Sequence, residues 1–78
     1  MTSDGAPTER AHLVGFAISW LPYGGGSAED IFLEFGLTEH AYFERLLTLL
    51  KDGDLRVSEA ARHGLGSVCV RRLRATRL

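Results

Sequence analysis

The last twelve residues, SVCVRRLRATRL, carry Arg71, Arg72, Arg74 and Arg77. On a helix these guanidinium groups fan over several sides, and each forms charge-assisted bonds to phosphate or carboxylate oxygens. Against a duplex, every phosphate contact releases counterions and adds about 0.9 to the slope of log affinity on log salt. The same cations would also complement the negative end of a terminal helix and an acidic body. Ion pairs to Glu29, Asp30, Glu34, Glu39 or Glu44, in the same chain or a second copy, would then absorb them.

A second set of candidates lies in FLEFGLTEHAYFERLL, which reads as two helices hinged at Gly36. A helix over 28–35, then Gly36, Leu37 as a plug, Thr38 as a cap and a longer helix over 39–50 is the sequence form of a helix-turn-helix. If the longer helix reads DNA, Arg45 faces guanine, and His40, Thr48 and Lys51 meet phosphate or base edges. Glu39 and Glu44 on the same helix oppose a polyanion. Phe32 stands four residues before the turn glycine, where DNA-binding versions prefer a small residue, and predicts a splayed pair or a different crossing angle.

Other chemistry is poorly supported. PYGGGSAED places glycines before a helix start, as anion cradles do, but it lacks the Gly-Lys-Ser/Thr ending, and Glu29 and Asp30 would repel a phosphate. A flexible connector is the expectation there. His12, His40 and His63 share no metal-ligand spacing. Cys69 is the only cysteine; it suits a small buried hydrophobe, or an activated thiol if exposed beside Arg71 and Arg72. No nucleophile–base pair and no carboxylate pair is present, so neither an enzyme, a cofactor nor a small-molecule substrate is expected.

The elements that must position these residues follow from hydrophobic period and caps. Residues 1–7 read as a flexible leader and 8–78 as a single helical domain. Thr8 caps a first helix whose apolar face is Leu13, Val14, Ala17, Ile18 and Leu21, widened by Phe16 and Trp20 and stopped by Pro22. Ser27 opens the second helix in a capping-box relation with Asp30; its buried stripe is Ala28, Ile31, Phe32 and Phe35, and Gly36 is its left-handed C-cap. Thr38 opens the third helix, with Tyr42, Phe43, Leu46, Leu47, Leu49 and Leu50 on a wide apolar face. Ser58 starts a short helix over 58–63, Gly64 and Gly66 break it, and Ser67 caps a last helix. The expected class is all-α, a bundle of about four helices with a helix-turn-helix-like core.

Trp20, Tyr23, Gly24, Ile31, Phe35-Gly36, Tyr42, Leu46, Leu49 and Arg71-Arg72-Leu73-Arg74 occur in the order found in a family of short actinobacterial proteins. That family is catalogued as a domain of unknown function with a helix-turn-helix-like core, and the chain resembles it over roughly residues 16–77. The resemblance implies a small helical cytoplasmic protein associated with DNA. It assigns no activity and no residue roles.

Composition narrows the classes. A chain of 78 residues is one small domain. No apolar run approaches the roughly 20 residues that cross a bilayer, and the N-terminus lacks the basic and apolar regions of a signal peptide. Charge is unevenly divided: residues 1–54 hold three cations against nine acids, and residues 55–78 six arginines against Glu59 alone. The leading expectation is a cytoplasmic, DNA-associated regulatory protein that contacts phosphates through its Arg-rich last helix. The alternative is a homodimeric protein–protein module without DNA binding, paired through the apolar face of Phe43, Leu46 and Leu50.

Overall fold

The computed structural model describes residues 5–53 and 55–76. Among them the chain is all-α: α1 (Gly5–Trp20), a 3-10 turn (Leu21–Tyr23), α2 (Ala28–Phe35), α3 (Glu39–Leu50) and α4 (Glu59–Ala75), with no strand. Of the expected leader, residues 1–4 lie outside the described residues, while Gly5 to Pro7 already belong to α1. Thr8 is therefore inside a helix and not its cap. Pro22 sits in the 3-10 turn, where its fixed φ is tolerated and a missing N–H costs nothing.

Three helix starts obey the same local rule. The N–H groups of Asp30, Ala41 and Ala61 donate to the side-chain oxygens of Ser27, Thr38 and Ser58 at 3.0, 3.1 and 3.0 Å. Each bond satisfies a donor that a helix start otherwise leaves open. Gly36, at φ 72°, closes α2 with its N–H on the Phe32 carbonyl at 2.8 Å. An L-residue with a side chain would be strained in that left-handed geometry.

Gly64 and Gly66 do not break the last segment; α4 runs unbroken from Glu59 to Ala75. Two helical glycines cost about 1 kcal/mol each relative to alanine. Leu65, Val68 and Cys69, spaced for one helix face, are all buried, and that burial outweighs the propensity cost. Gly64 also lies under Leu21, whose Cδ2 would be 3.4 Å from an added Cβ.

α3 is the centre of the bundle, adjoining α1, α2 and α4. Tyr42, Phe43, Leu46 and Leu50 are buried among Leu13, Val14, Ala17, Ile31, Leu65, Val68 and Cys69. Tyr42 stacks on Phe35 at 5.3 Å, meets Phe16 and Phe43 edge-on, and donates its O–H to the Leu13 carbonyl at 2.9 Å. A buried phenol needs such an acceptor, because an unpaired hydroxyl forfeits its hydration. The apolar face expected to pair two copies is thus the chain's own core: Phe43, Leu46 and Leu50 present no surface.

Three further expectations change. The PYGGG connector is packed, not loose: Gly24, Gly25 and Gly26 all have positive φ, and Gly25 and Gly26 are buried. A Cβ on Gly25 would come within 2.6 Å of Val68, and one on Gly26 within 2.8 Å of Phe16. Phe32 does not sit in the α2–α3 angle either; it is 60% exposed, and Ile31 and Phe35 fill that side. Ile18, expected in the core, is also exposed.

Candidate nucleic-acid interface

The inward residues of α4 decide what its other side offers. With Leu65, Val68 and Cys69 buried, the 3.6-residue period turns His63, Ser67, Val70, Arg71 and Arg74 outward, and all five are exposed. Together with Leu47 of α3, Gly66 and Ala75 they line an open groove of about 900 Å³. A smaller groove runs along α3 past Ala41, Glu44, Arg45 and Thr48, and Leu47 belongs to both.

The cationic candidates divide into three groups. Arg71 and Arg74, one turn apart on the exposed face, have no ion-pair partner among the described residues. Arg72 points the opposite way. Its Nε and Nη2 donate to Glu39 Oε2 at 2.9 and 2.6 Å, its Nη1 donates to the Gly24 carbonyl at 2.9 Å, and its guanidinium lies 4.7 Å from the centre of the Phe43 ring. All three of its guanidinium nitrogens donate within the chain, so Arg72 is a structural clasp. Arg77 lies outside the described residues.

On α3 the candidates are less available. His40 Nδ1 shares a 2.8 Å hydrogen bond with Thr76 Oγ1, and its Nε2 is 3.4 Å from Glu44. Arg45 donates to Glu9 at 3.1 Å in an exposed pair, a kind worth about 0–1 kcal/mol. Thr48 gives its hydroxyl proton to the Glu44 carbonyl at 3.1 Å, and Lys51 is exposed where α3 ends. The structure therefore brings Arg45 and Thr48 onto one exposed stripe, with Glu44 beside them. The N-terminal end of α3, which a helix-turn-helix presents to base edges, is roofed by α4 through Glu39–Arg72, His40–Thr76 and Phe43–Arg72.

Two roles escaped sequence reading. Arg62 closes the C-terminal end of α3 by donating to the Leu50 carbonyl, and reaches the Leu55 carbonyl at 2.8 Å. Only its position four residues after Ser58, in the first turns of α4, hinted at a role beside the preceding loop. Val70 and Gly66 form the groove floor. Reading 59–75 as one helix would have turned Val70 away from Leu65, Val68 and Cys69, with Gly66 on the flank beside it.

Cys69 is fully buried, and burial pushes its thiol up to about 11. It is a thiol, not a thiolate, at neutral pH, so the activated-cysteine expectation does not hold. Burial likewise raises the Tyr42 phenol far above its usual range. Among the described residues no cluster of three His, Cys, Asp or Glu side chains could hold a metal ion, and no helix is long and apolar enough to cross a membrane.

Comparison with models of known protein families, with curated proteins and with solved structures finds no match to this chain.

Proposed function

We propose that this chain is a small cytoplasmic, DNA-associated regulatory protein that acts by binding, holding duplex phosphates through the exposed face of α4. One observation carries this reading: Arg71 and Arg74 stand exposed and one turn apart along a groove whose lining contains no acid. Guanidinium groups with no ion-pair partner among the described residues favour an anionic ligand, because phosphate gains charge-assisted bonds there without breaking any within the chain. Arg77, which lies outside the described residues, follows Arg74 by three residues in sequence and adds a further cation there. Lys51, Arg45 and Thr48 supply secondary contacts from α3. The order helix, left-handed glycine, capped helix in α2–Gly36–α3 and the resemblance to the actinobacterial helix-turn-helix-like family support the same class.

Base reading by the start of α3 is not part of the proposal, since α4 covers it. The proposed contact is to the backbone of the duplex, and sequence preference should be weak. The test is a titration of labelled mixed-sequence duplex at low and moderate salt, beside an Arg71→Ala/Arg74→Ala variant whose folding is checked by circular dichroism. The expected result is affinity that falls with salt, and a log–log slope smaller by about 1.8 in the double variant, two contacts at roughly 0.9 each. Absence of binding at low salt, or a slope unchanged by the substitutions, would overturn it.

A further inference from the structure

The bundle leaves a second surface without a partner. α2 is bordered only by α3 in the packing of the helix backbones, and Phe32 and Leu33 on its outer side are 60% and 74% exposed. Glu29 lies three and four residues before them, hence on the same face. α2 carries three acids, Glu29, Asp30 and Glu34, and no base. Of these, Glu34 is paired with His12 of α1 and Asp30 with Ser27, which leaves Glu29 as the acid beside the apolar pair.

The α3/α4 groove has the opposite character. Leu47 and the 44%-exposed Val70 make its floor, Arg71 and Arg74 its rim, and no carboxylate lines it. Nothing stands within 4 Å of where a Cβ on Gly66 would be, so the floor is open to an incoming ring. Within one chain the two surfaces cannot meet, because the α2 and α4 backbones are not neighbours.

We propose that this groove receives α2 of a second copy of the chain, with Phe32 and Leu33 against Leu47 and Val70 and Glu29 meeting Arg71 and Arg74. An eight-residue helix about 12 Å long presents one such apolar pair with its acid one turn away. Reciprocal exchange of α2 between two copies closes a dimer and leaves no repeating end. The alternative of α2 against α2 sets like charges together, Glu29 facing acids of its own kind, which disfavours it. A duplex would engage only the rim, since an apolar floor gives phosphate nothing. The proposal does not depend on DNA binding.

The test measures mass by sedimentation velocity over a range of concentrations, without nucleic acid. Three proteins are compared: the full chain, Phe32→Ser/Leu33→Ser, and Arg71→Glu/Arg74→Glu. All substituted side chains are exposed, and circular dichroism verifies that each variant folds. The full chain should dimerise, and each variant alone should weaken the dimer by about tenfold or more, as loss of a central interface anchor does. Mixing the two variants restores one intact α2–groove contact and should yield a 1:1 heterodimer. A monomeric full chain, variants that dimerise as it does, or a mixture that fails to pair would each overturn the proposal. The Phe32→Ser/Leu33→Ser variant keeps Arg71 and Arg74, so its duplex binding reports on the DNA reading separately from self-association.

Discussion

Arg72 meets Glu39 through two N–H groups on a single carboxylate oxygen, Nε at 2.9 Å and Nη2 at 2.6 Å, with about a fifth of each side chain exposed. The pair joins the C-terminal half of α4 to the first turn of α3. Through Gly24 it also holds the glycine connector. Removing one partner of a largely shielded pair strands the other, so Arg72→Ala should cost on the order of 2 kcal/mol. Arg71→Ala, one position away and exposed, should change stability by less than about 0.5 kcal/mol. Urea denaturation of the two variants measures the contrast, and equal losses would refute the assignment of Arg72 as a clasp.

The face of α3 tests core against surface. Leu46 is fully buried, so Leu46→Ala should lose about 2–5 kcal/mol, and Leu46→Asp or Phe43→Asp should unfold the chain. Leu33→Asp, on the exposed side of α2, should remain folded. Far-ultraviolet circular dichroism with thermal melting decides; a folded, monomeric Leu46→Asp protein would contradict the packing.

The glycines should behave unequally. Gly25→Ala combines a left-handed backbone with a 2.6 Å approach to Val68, and should cost about 2 kcal/mol or more. Gly66 is helical with open space beside it, so Gly66→Ala should stabilise by up to about 1 kcal/mol. Denaturant midpoints check both. If Gly25→Ala were neutral, the connector would be less closely packed than described.

Alkaline pH supplies a test of burial. The Cys69 thiol sits at about 11 in the folded chain against an ordinary value of 9.0. Folding favours its neutral form, so its contribution is complete below pH 9 and is lost as pH rises toward 11. The loss amounts to roughly 2–3 kcal/mol over that interval. Tyr42, also held protonated by burial, adds to the loss above its ordinary value of 10.0. Stability measured from pH 7 to 11 should fall from about pH 9, and less steeply in Cys69→Ala. At neutral pH the native thiol should resist alkylation until the chain is denatured; prompt labelling of the folded protein would refute the buried placement.

What proved legible beforehand were features set by neighbours in sequence. Ser27, Thr38 and Ser58 cap helices because their oxygens reach N–H groups three residues on, and Gly36 ends α2 because only glycine turns there without strain. The four-helix, all-α class follows from those stops and from the apolar period. The Arg-rich character of the last helix was also plain, though not which of its arginines would face outward. Gly64 and Gly66 misled for a local reason as well: propensity argues for a break, while the buried row Leu65, Val68 and Cys69 argues against it more strongly.

Which surfaces stay open was a matter for tertiary packing alone. Phe32 looks as apolar as Ile31, and Phe43 or Leu46 could have served a partner as readily as a core. Helical period sorts residues onto faces but does not say which faces a neighbour covers. Because three helices pack around α3 while the outer side of α2 meets none, the same kind of side chain is buried in the first and exposed in the second. Likewise Arg71 and Arg72 are adjacent and chemically identical. A rotation of about 100° along α4 separates them, giving one to Glu39 and Phe43 and the other to solvent.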